Sequence, residues 1–178
     1  MCGVFAQFLN RPLTREDIEL GRRAVELQAH RGPDDSGEWF DEAAGVYLGH
    51  TRLSIIDLSD DSSQPMSRDG AVISYNGEIY NYKQISRDLE KSGARFSSSG
   101  DTEVLLKSWQ LGAEKTLERV DGMFAFAIWD GQDGHLVVDP FGEKHLFVAE
   151  TRDGIYVASE LSTLSAVLEV TIEDDPVF

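Results

Sequence analysis

The sequence of 178 residues has only one cysteine, Cys2, and four histidines. A single cysteine excludes an internal disulfide and is typical of a protein from a reducing compartment, so we expect a cytoplasmic location. The histidines show no metal-ligand spacing, and one cysteine cannot complete a structural zinc site. The sequence therefore predicts no metal centre.

Long apolar runs and basic residues are also scarce. The longest apolar run, residues 123–129, is too short to cross a bilayer, and the N-terminus lacks the apolar segment of a signal peptide. Sixteen basic residues stand against 32 acidic ones, which gives a net charge of −16. A surface this acidic argues against nucleic acid or an anionic membrane as partner, and solubility alone would explain it.

The position of the lone cysteine is the strongest chemical signal in the chain. If Met1 is removed, Cys2 carries both a thiol and a free α-amino group. An α-amino group titrates near ~7.7–8.0 and a thiol near ~8.5, so the amine can act as general base for the sulfur. The alternative is a small buried apolar residue, the commoner use of a free cysteine. Position 2 by itself does not decide between them.

The pattern of apolar residues predicts an α+β fold with mostly antiparallel sheet, in which runs of strands flank a pair of helices. Thr14 and Asp17 form a helix-start pattern, and residues 30–37 have the composition of a polar loop. Helices are predicted at residues 15–29, 82–92 and 101–111. Strands are predicted at residues 4–8, 38–40, 46–49, 54–57, 71–75, 123–129, 135–138, 146–149 and 155–158.

Several segments match a known family in order along nearly the whole chain. They are residues 1–3, 30–37 (HRGPDDSG), 49–58, 64–66, 75–82 (YNGEIYNY), 100–103, 121–127, 141–144 and 158–160. Together they resemble the glutaminase domain of asparagine synthetase, a class II glutamine amidotransferase of the N-terminal-nucleophile hydrolase type. The form YNGEIYN is similar to the asparagine-synthetase branch of that class.

The resemblance implies a four-layer αββα sandwich that hydrolyses L-glutamine to glutamate and ammonia without a cofactor. In the family the ammonia passes to a synthetase domain, which uses ATP and Mg. Its Ser-Gly-Gly-x-Asp-Ser loop does not occur in this sequence. We therefore expect residues 1–160 to be the glutaminase domain and residues 161–178 to begin a linker towards an absent synthetase domain or partner. The oligomeric state stays open, with a homodimer as one option.

The resemblance also assigns the reacting groups. Cys2 matches the nucleophile, which attacks the side-chain amide carbon of glutamine to form a γ-glutamyl thioester. Asn76 and Gly77 match an oxyanion hole, although Asn-Gly is also the composition of a plain hairpin turn.

Other matched residues would bind the substrate. Arg52 matches the residue that binds the α-carboxylate, for which a planar guanidinium is well shaped. Glu78 and Asp101 match the residues that hold the α-ammonium group, and Asp101 could equally be a helix N-cap. The backbone that lines the family's substrate site corresponds here to Leu53, Ser54, Ile55 and Ile56.

His30 and Arg31 open the HRGPDDSG loop, which lies over or beside the site in the family. A supporting structural role is expected for both, the alternative being a tight turn held by Gly32, Pro33 and Asp34.

The chain departs from the family pattern at residues 136–147. This segment is two residues shorter, because the Ala-Arg pair that usually precedes the aspartate at Asp139 is missing. Proline and histidine replace an arginine and a proline further on. A deletion of two residues leaves each side chain of a strand on the same face of the sheet, because side chains alternate with a period of two. The deletion still shortens a strand near the face expected to meet the synthetase domain, so it puts coupling between the domains in doubt more than glutamine hydrolysis.

Two alternatives to an active glutaminase stay open. One is a catalytically silent relative that keeps the fold and serves as a glutamine-binding or regulatory module. The other is an N-terminal-nucleophile hydrolase that acts on a different amide. The matched charges favour a zwitterionic substrate and argue against the second.

Overall fold

The computed structural model describes residues 1–53 and 60–168, and these ranges form nine strands and five α-helices. The strands are β1 (Gly3–Leu9), β2 (Asp35–Asp41), β3 (Val46–Arg52), β4 (Met66–Arg68), β5 (Ala71–Ile79), β6 (Gly122–Trp129), β7 (Gly134–Val138), β8 (Phe147–Glu150) and β9 (Gly154–Ala158). The helices are α1 (Arg15–Leu27), α2 (Tyr82–Lys91), α3 (Asp101–Gln110), α4 (Ala113–Arg119) and α5 (Leu161–Leu168).

The strands form two antiparallel sheets. Sheet A has the order β2-β3-β1-β9-β8, and sheet B has the order β4-β5-β6-β7. The first strand of the chain is therefore the central strand of sheet A, paired with β3 on one side and β9 on the other. This placement fixes the start of the chain inside the domain.

Alternation of side chains along the strands produces three apolar layers. In β1, Val4 and Ala6 face sheet B, whereas Phe5 faces α1 and α5. In β5, Val72 faces sheet A, whereas Ile73 packs against α2 and α3. Each sheet is thus buried on both faces, and the order of layers is helices, sheet A, sheet B, helices. This is the four-layer αββα sandwich expected from the resemblance.

The helix-start pattern at Thr14 is a complete capping box. The Thr14 hydroxyl accepts the Asp17 N–H at 3.3 Å, and the Asp17 carboxylate accepts the Thr14 N–H at 2.7 Å. Arg11 also donates to Asp17 at 2.6 Å. These bonds satisfy amide groups that the first turn of a helix leaves without partners, and they set the start of α1.

Three features of the chain differ from the sequence prediction. The polar loop was expected to include residues 35–37, but β2 begins at Asp35 because these residues pair with the end of β3. Strand β5 continues to Ile79 instead of ending at residue 75, because residues 76–79 pair with residues 122–125. The short elements β4, α4 and α5 were not predicted, since tertiary packing and not periodicity determines them.

Residues 161–168, where the predicted linker begins, form α5. Its Leu164 and Val167 are buried in the apolar layer beneath sheet A. The predicted strand at residues 54–57 and the remaining residues 169–178 lie outside the described residues, and the division into domains stays a prediction.

Candidate active site

Hydrogen bonds to both neighbouring segments anchor the start of β1. The Gly3 N–H donates to the Thr51 hydroxyl at 3.0 Å, and the Val4 N–H donates to the Ser159 hydroxyl at 2.9 Å. The Ser159 N–H in turn donates to the Val4 carbonyl at 2.9 Å. A Cβ atom on Gly3 would lie 2.5 Å from the Thr51 hydroxyl oxygen, so this close approach requires glycine. The residue immediately before this anchor is Cys2.

The Cys2 thiol lies against the backbone of Leu53. The Leu53 N–H donates to the sulfur at 3.4 Å, and the Leu53 carbonyl is 3.8 Å from it. Burial raises the pKa of the thiol above its ordinary value, and the Leu53 N–H, the chain's amino group and two guanidinium groups offset only part of this effect. A thiol with a raised pKa needs a base, and removal of Met1 would place an amine on the same residue.

Arg31 holds the backbone of Cys2 from outside the cleft. Its Nε–H donates to the Cys2 carbonyl at 3.0 Å, and its Nη1–H donates to Glu160 at 3.2 Å. The same Glu160 oxygen lies 2.9 Å from Nε2 of His30. Neither His30 nor Arg31 is among the residues that line the cleft described below. This geometry fits the supporting role predicted for the pair.

A cleft of about 140 Å³ opens at the end of the two sheets, beside Cys2. The cleft brings together every predicted catalytic and substrate-binding residue within the described ranges. Its lining residues are Met1, Cys2, Arg52, Leu53, Ser62, Gln64, Tyr75, Asn76, Gly77, Glu78, Gly100, Asp101, Thr102, Met123 and Lys144. Ser54, Ile55 and Ile56, also predicted to line the site, lie outside the described residues.

One side of β5 supplies main-chain donors to this region. The Tyr75 N–H donates to Gln64 at 2.8 Å, and the Ile79 N–H donates to Asp101 at 2.9 Å. Both amides therefore point away from β6. Amide directions alternate with a period of two along an antiparallel strand, so the Gly77 N–H points the same way. Gly77 lines the cleft, and its amide is therefore directed into the cleft.

Asn76 and Gly77 lie inside a strand and not in a hairpin turn, so the turn alternative is wrong. They pair with Ala125 and Phe124 of β6. Glycine is required at position 77, because a Cβ atom there would lie 2.7 Å from the Phe124 Cα and against the Met123 carbonyl oxygen.

Asp101 is the first residue of α3, and its carboxylate is buried. One oxygen accepts both the Ile79 N–H at 2.9 Å and the Tyr75 hydroxyl at 2.8 Å. Burial raises the pKa of Asp101 above 3.8, against the effect of these two hydrogen bonds. The N-cap position belongs to Gly100, so the N-cap alternative for Asp101 is wrong by one position.

Opposite charges meet in the cleft. Arg52, at the end of β3, is 8% exposed, and Glu78 and Asp101 stand on the walls formed by β5 and α3. A guanidinium and two carboxylates around one cleft match an amino acid that carries both an ammonium and a carboxylate group. The charge pattern therefore favours a zwitterionic ligand next to the thiol.

Sequence reasoning gave no role to several residues that the structure places at the site. Gln64, Tyr75 and Thr102 line the cleft, and Glu160 accepts a hydrogen bond from Arg31, which in turn holds the Cys2 carbonyl. All four occur in the segments that carry the resemblance. The sequence therefore pointed to these positions but did not indicate what their side chains do. Lys144 also lines the cleft, because the buried Asp139 carboxylate accepts four backbone amides and folds residues 139–144 towards it.

The described residues hold neither a cluster of metal-binding side chains nor a helix suited to a membrane. Within residues 1–53 and 60–168, no three His, Cys, Asp or Glu side chains are grouped in a way that could hold a metal ion. No helix in the same ranges has the length and apolar character needed to cross a membrane.

Comparison with known proteins gives consistent matches. The chain is 40% identical to "Asparagine synthetase [glutamine-hydrolyzing] 1" of Bacillus subtilis over 171 residues, which are 92% of this chain and 26% of that protein. It is 34% identical to "Asparagine synthetase B [glutamine-hydrolyzing]" of Escherichia coli over 184 residues, which are 99% of this chain and 32% of that protein. The chain thus spans about a quarter to a third of these relatives.

The fold is similar to that of a solved structure. The glutamine phosphoribosylpyrophosphate amidotransferase from B. subtilis superposes with a TM-score of 0.78 at 22% identity, over 93% of this chain and 43% of that chain. The sequence-family model described as "Glutamine amidotransferase domain" matches residues 1–177. The chain therefore belongs to the glutamine amidotransferase domain family.

Proposed function

We propose that this domain hydrolyses L-glutamine to L-glutamate and ammonia through a γ-glutamyl thioester on Cys2. The observation that carries the proposal is the meeting of a thiol, an inward-pointing main-chain amide and opposite charges in one cleft. A nucleophile, an oxyanion donor and a zwitterion-binding site are the parts that this reaction needs.

In this proposal each group takes part in one step. Arg52 binds the α-carboxylate of glutamine, and Glu78 with Asp101 binds the α-ammonium group. The Cys2 thiolate then attacks the side-chain amide carbon, and the carbonyl electron pair moves to oxygen. The Gly77 N–H and the Asn76 side-chain amide donate to that oxyanion.

Collapse of the tetrahedral intermediate breaks the carbon–nitrogen bond. The α-amino group of Cys2 delivers the thiol proton to the departing nitrogen, which leaves as ammonia. The same amine then takes a proton from water, and the resulting hydroxide attacks the thioester carbon. Cleavage of the carbon–sulfur bond releases glutamate and restores the thiol.

We further propose that the ammonia is supplied to an ATP-dependent, asparagine-synthetase-like domain or partner in the cytoplasm. The support is that both relatives named above are called glutamine-hydrolysing asparagine synthetases and extend well beyond the matched region. The glutaminase step needs no cofactor in this scheme, and ATP and Mg would serve only the synthetase.

The test is intact mass spectrometry combined with an assay for glutamate and ammonia. The purified protein is treated with a diazo-ketone analogue of glutamine, with and without excess glutamine. Because Cys2 is the only cysteine, one thiol adduct identifies it. We expect loss of the Met1 mass, a single adduct that glutamine prevents, and glutamine turnover that Cys2→Ala abolishes.

A protein without Met1 that turns over no glutamine and takes no adduct would contradict the proposal. Glutamine binding by that inactive protein, measured by calorimetry, would instead support a silent binding module. Turnover of other amides at rates equal to that of glutamine would point to a different hydrolase. If Met1 is retained, a protease-generated N-terminal Cys2 supplies the form to be assayed.

A further inference from the structure

The Tyr75 hydroxyl connects the middle of β5 to the carboxylate at the start of α3. It donates to Asp101 at 2.8 Å, and the residue is only 2% exposed. The oxygen that accepts this bond also accepts the Ile79 N–H at 2.9 Å. The carboxylate is thus held at one oxygen by two donors from the same strand.

The path of the tyrosine ring depends on the absence of a side chain at Gly77. A Cβ atom there would lie 2.8 Å from Cε2 of Tyr75. The ring therefore passes beneath the residue that presents its amide to the cleft and reaches Asp101 beyond it. One strand segment consequently positions both the oxyanion donor and the carboxylate.

The main-chain N–H and the main-chain carbonyl of Tyr75 both have hydrogen-bond partners. Its N–H donates to Gln64 at 2.8 Å, and its carbonyl lies 3.0 Å from Nε2 of the buried His50. A tyrosine held in this way has little freedom to withdraw its hydroxyl from Asp101. The hydrogen bond from Tyr75 to Asp101 is therefore part of the buried structure of the site and not a contact at a mobile surface.

We propose that Tyr75 is a positioning residue that sets the affinity of the cleft for the α-ammonium group of its substrate by holding the Asp101 carboxylate. The inference rests on the proposed function, in which Asp101 binds that group. Hydrogen bonds to one carboxylate oxygen leave the other oriented for a cation and oppose rotation of the side chain. Tyr75 takes no part in bond making or breaking.

The test compares Tyr75→Phe with wild type on two amides. L-Glutamine carries the α-ammonium group, and glutaramate has the same side-chain amide and carboxylate without it. We expect Tyr75→Phe to raise the KM for glutamine roughly tenfold, the order of one hydrogen bond to a charged group. The kcat for glutamine and the KM for glutaramate should stay within about twofold.

Tyr47→Phe is a matched control. Tyr47 is also fully buried and donates to a carboxylate, that of Glu38, at 3.0 Å, but it lies beneath α1 and away from the cleft. It should change neither KM. Calorimetric titration of both amides into Cys2→Ala protein, with and without Tyr75→Phe, repeats the comparison without turnover. Tyr75→Phe keeps the buried ring and removes only the hydroxyl, so it should stay folded, which circular dichroism checks before the comparison.

The outcomes separate the two proposals. An unchanged KM for glutamine in Tyr75→Phe, or an equal rise for both amides, overturns the role of Tyr75 and leaves glutamine hydrolysis intact. Wild-type protein that neither hydrolyses nor binds glutamine overturns both.

Discussion

The ion pair between Arg11 and the buried Asp17 carboxylate, at the start of α1, makes a contribution to stability that depends on pH. The Asp17 side chain is 8% exposed and accepts hydrogen bonds from Arg11 and from the Thr14 amide and hydroxyl. Burial alone would raise the pKa of Asp17, but these bonds outweigh it and lower the pKa from 3.8 to about 2. Each pH unit corresponds to about 1.4 kcal/mol, so the ionised carboxylate stabilises the fold by roughly 2 kcal/mol.

Replacement Asp17→Asn should therefore lower the free energy of unfolding by about 2 kcal/mol at pH 7, or the midpoint of thermal unfolding by roughly 4–8 °C. Because the folded pKa is the lower one, the stabilisation is present above pH 4 and is lost as the pH falls towards 2. The difference between wild type and variant should shrink over that interval. Urea unfolding at pH 7, 4 and 3, followed by circular dichroism, measures it.

Asp153→Asn is the control for this experiment. Asp153 pairs with the same arginine at 3.2 Å, but its side chain is 56% exposed. Exposed pairs contribute about 0–1 kcal/mol, so this variant should be nearly as stable as wild type at every pH. Equal losses in the two variants, or a loss in Asp17→Asn that is the same at pH 7 and pH 3, would refute the reasoning.

Three further predictions concern the cleft and the layer behind it. Asn76→Ala should lower kcat for glutamine by roughly 10²–10³, the effect of losing one oxyanion donor, and a loss below tenfold in steady-state assays would contradict its role. Gly77→Ala should lower the free energy of unfolding by about 1–3 kcal/mol and abolish turnover, because the added Cβ meets the backbone of Phe124. Urea unfolding measures the loss, and a variant as stable as wild type would refute this prediction. His50, whose pKa burial lowers to about 4, should stay neutral in the folded state while the unfolded chain protonates below about 6.5. The free energy of unfolding should therefore decline by roughly 3 kcal/mol as the pH falls from 6.5 to 4. Urea unfolding of His50→Gln over the same pH range should not show this contribution to the decline.

The pattern of residues predicted which strands and helices form better than it predicted where they end, and the order of the four layers came from the family resemblance. Short apolar runs indicated the strands that are buried on both faces, and apolar residues at helical spacing with two helix starts indicated the main helices. Strand β5 was predicted too short, since Asn76-Gly77 has the composition of a turn although its backbone pairs with β6. Local composition cannot show that a distant strand provides the pairing.

The candidate site was predicted by resemblance, residue by residue, and the described residues among those predictions converge on the cleft or lie directly behind it. The structure added the direction of groups, which no sequence pattern contains. That the Gly77 amide faces the cleft follows from the partners of Tyr75 and Ile79 on the same strand edge. The bond from Tyr75 to Asp101 joins residues 26 positions apart and has no local signature.

The central place of β1 in sheet A has a consequence for folding. The amide of Val4 is held by Ser159, a partner 155 positions later in the chain. The hydrogen bonds next to Cys2 therefore form only when strands that are far apart in the sequence have met, so the geometry of the cleft is a property of the whole domain and not of one local segment.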